Sequence, residues 1–341
     1  MRVLVTGGAG FVGSHTVVAL IEAGHQAVVA DNLSNSRVDV LTGIAGITGV
    51  EPEFHQVDVG NSDELAVVVD AGPLDAVIHM AAFKAVGESV ERPLRFYENN
   101  VAGTISMLQV LDKAGIRNLV FSSSATVYGE PIKLPLTEDM PIGRTTNPYG
   151  STKIMMEQVM TDLAVSDSEW SVSLLRYFNP VGAHPSSHIG EASQGVPANL
   201  MPYVCEVAAG KRPYVRVFGT DYDTVDGSPV RDYVHVMDVA EGHVSALDRL
   251  SGRSGVHIYN LGTGAGTSVL ELIDSFEKAN GVSVLWKPYP RRPGDVATTW
   301  AGVKKAARDL GWVAGRSLEE MCRDAWAWQQ ASETASESDR H

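Results

Sequence analysis

The sequence predicts an α/β protein with a doubly wound parallel sheet of the Rossmann type and a smaller C-terminal substrate-binding domain. The first observation behind this prediction is a series of short apolar runs, rich in β-branched residues and separated by helix-length stretches. The runs are Val3–Val5, Ala27–Ala30, Ala76–Ile78, Leu119–Phe121 and Val172–Leu175. Strands that are apolar on both faces are typical of a parallel sheet covered by helices on both sides.

The second observation is a change in composition after Asn179-Pro180-Val181-Gly182. Beyond this point Pro, Gly and His become frequent, helical patterns shorten, and a polar loop covers Asp221–Pro229. The later run Val256–Leu261 is again strand-like, and we expect it to return to the main sheet. We therefore expect a Rossmann-type domain, a mainly substrate-binding domain and a loose polar tail, over residues 1–180, 181–330 and 331–341.

Composition excludes several classes of function. The chain of 341 residues is 44% hydrophobic and 20% charged, which allows a sizeable core. Its formal net charge of −14 disfavours binding to nucleic acid or to anionic membranes. Cys205 and Cys322 lack the spacing of a metal site, so we expect no metal, no structural disulfide and a reduced, cytoplasmic setting. Neither a signal peptide nor a membrane span is predicted.

A glycine-rich loop follows the first predicted strand. Gly7, Gly10 and Gly13 have the spacing G-x-x-G-x-x-G between a strand and a helical pattern, where a pyrophosphate approaches the helix N-terminus. The second strand ends at Asp31, 18 residues after Gly13. An acid at this place hydrogen-bonds the adenosine ribose and repels a 2′-phosphate. The pattern therefore predicts NAD rather than NADP.

Three residues are predicted to carry the chemistry. Ser124 lies in the hydroxyl-rich segment Ser122–Gly129, at the C-terminal end of a strand, where open α/β sheets bind ligands. Tyr149 and Lys153 form a Tyr-x-x-x-Lys pattern and share one face of a helix. A neighbouring ammonium and a positive nicotinamide both favour the phenolate of a tyrosine. We therefore predict Tyr149 as general base and acid, with Ser124 and Lys153 beside it.

Several longer stretches carry a resemblance that spans almost the whole chain, ending near Trp328. They are Val3–Gly13, Lys84–Ser89, Ser122–Gly129, Leu175–Pro185 and Arg231–Val236. They resemble the UDP-galactose 4-epimerase family within the extended short-chain dehydrogenases/reductases. The resemblance implies reversible 4-epimerisation of UDP-glucose and UDP-galactose through a bound 4-keto sugar, with NAD transiently reduced, and a homodimer. Sugar-nucleotide dehydratases usually carry acidic residues after the catalytic hydroxyl residue, whereas Ala125-Thr126 stand here and disfavour dehydration.

The resemblance also implies which residues contact the ligands. Contacts to NAD are expected from Gly7, Gly10, Phe11, Val12, Gly13, Asp31, Asn32, Asn35, Ser36, Asp58, Val59, Met80, Ala81, Ala82, Lys84, Asn99, Ser124, Tyr149, Lys153, Tyr177 and Phe178. Contacts to the UDP-sugar are expected from Lys84, Ser124, Tyr149, Phe178, Asn179, Asn199, Leu200, Arg216, Val217, Phe218, Arg231, Tyr233, Arg292, Asp295 and Thr299. Among these, Arg231 and Arg292 are expected to face the diphosphate, since guanidinium groups make paired hydrogen bonds to phosphate.

Three positions depart from the pattern of close relatives. Met80 and Ala82 stand where bacterial relatives commonly have Phe and Gly. Thr299 stands where members restricted to UDP-glucose and UDP-galactose often carry a tyrosine, so we expect added tolerance for N-acetylated sugars. Two alternatives remain open: a 4-epimerase of another UDP-sugar, a uronic acid or a pentose, and a catalytically silent NAD-binding regulator. The intact Ser124, Tyr149 and Lys153 disfavour the second.

Overall fold

The structure is a computed structural model that describes residues 1–143, 145–192, 195, 197, 199–292 and 294–338. Its strands are β1 (Arg2–Thr6), β2 (Gln26–Ala30), β3 (Glu53–His55), β4 (Ala76–His79), β5 (Asn118–Ser124), β6 (Ser171–Tyr177), β7 (Asn179–Val181), β8 (Val215–Phe218), β9 (Val230–Arg231), β10 (Tyr233–His235), β11 (Gly255–Leu261), β12 (Thr267–Ser268) and β13 (Trp286–Tyr289). Seven of these described strands form one parallel sheet in the order β11-β6-β5-β4-β1-β2-β3. The pairs β7–β10, β8–β13 and β9–β12 lie outside it.

The helices follow the strands in alternation through the first half of the chain. They are α1 (Phe11–Glu22), α2 (Val40–Thr48), α3 (Ser62–Asp70), α4 (Val86–Glu91), α5 (Pro93–Phe96), α6 (Gly103–Lys113), α7 (Pro148–Ser166), α8 (Leu200–Ala208), α9 (Val236–Asp248), α10 (Val269–Asn280), α11 (Lys304–Leu310) and α12 (Leu318–Ser338). A π-helical segment, Tyr97–Ala102, joins α5 to α6. Helix α7 begins where the Asn147 side chain accepts a hydrogen bond from Gly150 N and Pro148 occupies the first turn.

The predicted doubly wound sheet is confirmed. Each of the five apolar runs lies within a strand, namely β1, β2, β4, β5 or β6. Alternate residues pack on opposite faces, so Val3 and Val5 join a core with α1 and α9, whereas Leu4 joins a core with α6 and α7. The strand order reverses between β1 and β4, and such a reversal opens a crevice at the C-terminal ends of the strands.

A third core supports the later part of the chain. It is formed by α8, α10 and α12 with β8 and β10, and includes Met201, Phe276 and Met321. The sequence predicts a loose tail from Ala331. In the structure, α12 instead continues as a helix to Ser338. A side-chain hydrogen bond one turn apart, from Gln329 Nε2 to Glu333 Oε1 at 2.7 Å, supports the extension. Residues 339–341 lie outside the described part.

The sequence also led to expectations about membrane-spanning helices, metal sites and disulfides. Within the described ranges no helix is long and apolar enough to cross a membrane. The same residues contain no group of three or more His, Cys, Asp or Glu arranged to hold a metal ion. Cys205 and Cys322 are both free and buried.

A buried ion pair joins β6 to α7 beneath the C-terminal edge of the sheet. The guanidinium of Arg176 donates to Glu157 through Nε at 3.0 Å and through Nη2 at 2.6 Å, and both side chains are buried. Ser123 Oγ also donates to Glu157, and Arg176 Nη1 donates to Tyr128 Oη at 3.1 Å. Every charged atom of the pair therefore has a partner, which buried charges require.

Replacing Glu157 with Ala should lower the free energy of unfolding by about 3–5 kcal/mol, because the Arg176 guanidinium remains buried without its carboxylate. Urea unfolding followed by circular dichroism measures the loss. Asp162→Ala is the matched control, since Asp162 is an exposed acid on the same helix. Its effect should stay within about 0.5 kcal/mol. Equal losses in the two variants would contradict the assigned role of the pair.

Candidate active site

The glycine loop packs tightly against the end of β4. Gly7 has a φ of 71°, and a Cβ on it would lie 2.8 Å from Ala81 N. A Cβ on Gly13 would overlap the carbonyl oxygen of Gly7. Gly10 is the N-cap of α1 and offers no side-chain cap, so the first amide groups of the helix are left for an anion.

Asp31 has a structural task besides the predicted contact to ribose. Its Oδ2 accepts from Ala9 N in the glycine loop at 3.0 Å. Its Oδ1 accepts from Leu33 N at 2.9 Å and from Ser36 Oγ at 2.8 Å. The carboxylate therefore holds together the two loops that flank the expected ribose position, which the sequence pattern did not indicate.

The other residues predicted around adenosine are Asn32, Asn35, Asp58 and Val59, of which only Val59 is buried. Asn32 and Asp58 are brought together, since Asn32 Nδ2 donates to Asp58 Oδ2 at 3.1 Å. Asn35 lies exposed at the surface in the same loop. Val59 is buried in the core beside Leu65, so its side chain packs inward.

The segment after β4 reaches the glycine loop and the later half of the chain. Met80 N donates to Thr6 O at 3.0 Å, which fixes Met80, Ala81 and Ala82 beside β1. Lys84 Nζ lies 5.8 Å from the ring centroid of Phe11 at the start of α1. The same Nζ donates to Glu191 Oε1 at 2.9 Å.

Asn100, which the sequence reasoning missed, fastens this segment to α7. Its Oδ1 accepts from Phe83 N and from Asn99 Nδ2, both at 2.8 Å. Its Nδ2 donates to Phe83 O at 3.0 Å and to Thr152 Oγ1 at 3.1 Å. Asn99 and Asn100 lie in the π-helical segment, and such segments occur frequently at functional sites.

The three predicted catalytic residues do meet. Ser124 ends β5, and Tyr149 and Lys153 lie in the first turns of α7 above it. Lys153 Nζ donates to Ser122 O at 2.7 Å and lies 5.9 Å from the Tyr149 ring centroid. Tyr149 is hydrogen-bonded to Ser124, and both side chains are buried. Tyr177 packs nearby at the end of β6.

Burial dominates the titration of this cluster. It raises the pKa of Tyr149 to about 12, and the hydrogen bond with Ser124 opposes the shift without cancelling it. Burial also lowers the pKa of Lys153 to about 7, against the opposing charge of Glu157. Burial thus opposes the phenolate in the chain without NAD, whereas the expectation of a favoured phenolate concerns the site with nicotinamide bound and stays a prediction.

On the substrate side, Asp232 is a buried anchor that the motifs did not reveal. Its carboxylate accepts from Thr263 N at 2.8 Å and from Gly264 N and Ala301 N, both at 3.0 Å. Burial raises its pKa, and these bonds oppose the change. Its carbonyl accepts from Asn179 N at 3.0 Å, beside the buried Phe178. Three chain segments thereby converge on the predicted sugar region.

The predicted nucleotide contacts surround a basic and aromatic surface. Arg231 forms an ion pair with Asp295. The guanidinium of Arg292 lies 4.0 Å from the Phe218 ring centroid. Arg216 stacks 5.3 Å from the Tyr289 ring centroid. The side chains of Val217 and Tyr233 are not brought to this surface, because both are buried in the third core.

Glu191 lies between the two predicted halves of the site and was also missed. Its Oε1 accepts from Asn199 Nδ2 at 2.6 Å and from Lys84 Nζ at 2.9 Å. Asn199 is the N-cap of α8, and Leu200 is its first residue. Thr299 is half-buried beside β9, where its N donates to Val230 O at 3.0 Å.

The residues present fit a dinucleotide with two free ribose hydroxyls. The glycine cradle would be filled by any Cβ at Gly7 or Gly13, so it admits a close approach of backbone to phosphate. The Asp31 carboxylate at the end of β2 fits a ribose diol and would repel a phosphate there. Lys84 supplies a cation near the N-terminus of α1.

Comparison with known proteins agrees with this geometry. Residues 3–262 match the NAD-dependent epimerase/dehydratase family. UDP-glucose 4-epimerase of Bacillus subtilis is 53% identical over 97% of this chain and 98% of its own length. A Stenotrophomonas maltophila UDP-glucose-4-epimerase structure, with bound NAD and formylated UDP-arabinopyranose, superposes with a TM-score of 0.96 at 48% identity, over 98% of this chain and 99% of that one.

A second structure, UDP-glucose 4-epimerase from Bifidobacterium longum in complex with NAD+ and UDP, has a TM-score of 0.95 at 46% identity and covers 98% and 99% of the two chains. Sequence, fold and site thus agree over nearly the full length. The chain therefore belongs to the NAD-dependent epimerase/dehydratase family.

Proposed function

We propose that this protein is an isomerase that interconverts UDP-glucose and UDP-galactose by inverting carbon 4 of the sugar, with NAD as a retained cofactor. The observation that carries the proposal is the meeting of Ser124, Tyr149 and Lys153 at the crevice beside the glycine loop. The names of the relatives support the same reaction.

Each group of the cluster has a defined part. Tyr149 takes the proton of the sugar 4-hydroxyl as hydride leaves carbon 4, and later returns the proton to the same oxygen when hydride is delivered to the opposite face of carbon 4 of the 4-keto sugar. Ser124 hydrogen-bonds the same oxygen, and Lys153, beside the Tyr149 ring, would hold the nicotinamide ribose. Bound NAD would accept the hydride and later return it. Its positively charged nicotinamide would favour the Tyr149 phenolate, which burial disfavours in the chain without NAD.

Binding is divided between the two parts of the chain. Residues 1–180 hold NAD through the glycine loop, Asp31 and the segment after β4, and residues 181–330 mainly hold the UDP-sugar. Arg231 and Arg292 bind the diphosphate, Asp295 the nucleotide ribose, and Arg216 and Phe218 flank the uracil. Because the nucleotide is the anchor, the sugar turns over without release of the substrate.

The protein is proposed to act as a cytoplasmic homodimer. Two helices offer an apolar surface for a second copy, since Ile105 on α6 is 39% exposed and Met155 on α7 is 45% exposed. Both cysteines are unpaired, which suits a reducing compartment. Light scattering that gives the mass of one chain would contradict the dimer.

The direct test is conversion without added cofactor. Purified protein is incubated with UDP-galactose, UDP-N-acetylgalactosamine, UDP-galacturonate and UDP-arabinopyranose, and the products are separated by chromatography. Conversion of UDP-galactose to UDP-glucose supports the proposal. Conversion of a uronate or pentose substrate alone supports the rival UDP-sugar epimerase, and no conversion with NAD bound supports the silent regulator.

We expect the protein to purify with NAD(H) bound, because a cofactor that is reduced and reoxidised within one cycle gains nothing from dissociating. The protein is denatured and the supernatant is assayed for nicotinamide nucleotides. Mainly NADP(H) in the supernatant would contradict the role of Asp31.

Replacing Tyr149 with Phe removes the proton-transfer group and should lower kcat by about 10²–10⁴-fold. UDP binding, measured by calorimetry, should be largely retained. Tyr259→Phe is the matched control, since Tyr259 is a buried tyrosine outside the Arg176–Glu157 network whose hydroxyl accepts from Arg253 Nη1 at 3.3 Å, and its activity should stay near that of the wild type. Activity of Tyr149→Phe within a few-fold of the wild type would refute the assignment.

Thr299 should leave space beside the sugar C2 substituent, so the wild type should also interconvert UDP-N-acetylglucosamine and UDP-N-acetylgalactosamine. Thr299→Tyr should remove this activity and keep that on UDP-galactose, since the ring fills the space. Kinetics of both substrate pairs in both proteins provide the test. Equal N-acetyl activity in the two proteins would show that residue 299 is not the gate.

A further inference from the structure

One carboxylate oxygen connects the two halves of the proposed site. Glu191 Oε1 accepts from Lys84 Nζ at 2.9 Å and from Asn199 Nδ2 at 2.6 Å. Lys84 follows β4 in the cofactor-binding half, whereas Asn199 caps α8 in the substrate-binding half. The Glu191 side chain is only 13% exposed, so its charge is held in a place with little water.

Helix α12 fixes the backbone on which this carboxylate stands. Trp328 Nε1 donates to the carbonyl of Glu191 at 3.3 Å. A Cβ at Gly190 would overlap the Trp328 ring, so the chain passes directly against the indole. The backbone at Glu191 is thus held by α12, and its carboxylate is held by the two hydrogen bonds that Oε1 accepts.

The sugar end of the site carries little positive charge. Of its proposed lining, the basic side chains are Lys84, whose ammonium is paired with Glu191, and Lys153, which is buried and donates to Ser122 O. A carboxylate carries only acceptor atoms, so Glu191 accepts hydrogen bonds from hydroxyl donors and repels anions. Positive charge for the diphosphate lies instead at the nucleotide end, with Arg231 and Arg292.

We propose that Glu191 is a specificity-determining residue, whose fixed carboxylate excludes UDP-sugars that carry a carboxylate at carbon 6 and so restricts the enzyme to uncharged sugars. This inference rests on the proposed function. It resolves the choice between hexose and uronic acid substrates from the charge of one side chain.

Electrostatics supplies the discrimination. A uronate would either lie near the Glu191 carboxylate as a like charge or draw Lys84 away and leave Glu191 without its ion-pair partner. A primary hydroxyl at carbon 6 causes neither like-charge repulsion nor loss of the ion pair, because it donates a hydrogen bond to a carboxylate. The site thus rejects the anion by repulsion and needs no additional attraction to the neutral sugar.

The test compares UDP-galactose with UDP-galacturonate in the wild type and in Glu191→Gln, both loaded with NAD. In the wild type, kcat/KM should strongly favour UDP-galactose. In Glu191→Gln, the ratio of the two kcat/KM values should shift toward the uronate by about tenfold or more, the size expected for removing a like charge at close range. A ratio unchanged within twofold, or a wild type that uses both substrates equally, overturns the proposal.

Glu206→Gln is the matched control. Glu206 is also a partly buried carboxylate paired with a basic side chain, Arg212, but it lies along α8 rather than at the cleft. In Glu206→Gln, the ratio of the two kcat/KM values should stay at the wild-type value. A shift equal to that of Glu191→Gln would assign the effect to net charge of the protein and overturn the proposal.

A second measurement needs neither turnover nor a variant. UDP-galacturonamide has an uncharged carboxamide of nearly the shape of the carboxylate, so calorimetry on the wild-type holoenzyme separates charge from size. The amide should bind about tenfold more tightly than UDP-galacturonate. Equal affinities overturn the inference. Failure of the proposed function is separate, since it would appear as a wild type that does not convert UDP-galactose.

Discussion

The site depends on the buried ion pair between Arg176 and Glu157. Two charges removed from water are tolerated only while each satisfies the other, so the pair fixes the distance between β6 and α7. Glu157 lies one helical turn beyond Lys153, and Arg176 directly precedes Tyr177. The hydroxyl of Ser123 adds β5 to the same network. This buried network therefore holds the strand that carries Ser124 against the helix that carries Tyr149.

The same dry environment sets the chemistry of the cluster. Burial keeps the Tyr149 phenol protonated near neutral pH and brings the pKa of Lys153 to about 7, so neither group is in its most reactive form in the chain by itself. Positive charge that enters such a site, for example a bound nicotinamide, would favour the Tyr149 phenolate.

Carboxylates organise the loops around the crevice. Asp31 ties the glycine loop to the end of β2, Asp232 joins three segments near the proposed sugar region, and Glu191 connects the two proposed halves of the site. Each accepts hydrogen bonds from amide, hydroxyl or ammonium donors, which stabilise a carboxylate that is removed from water. A chain with a formal net charge of −14 is therefore able to bind an anionic nucleotide, provided that Arg231 and Arg292 supply the local positive charge.

The sequence by itself determined the parallel sheet, the glycine loop with Asp31, and the order of Ser124, Tyr149 and Lys153, because these depend on local periodicity and on spacing within single elements. The helical continuation of α12 to Ser338 was missed, since a polar composition masks good helix formers. The tertiary structure alone decided the partners of Asn100, Glu157, Asp232 and Glu191, and the direction of the Tyr149 pKa. Those features arise from contacts between distant segments and from loss of hydration, neither of which leaves a pattern in neighbouring residues.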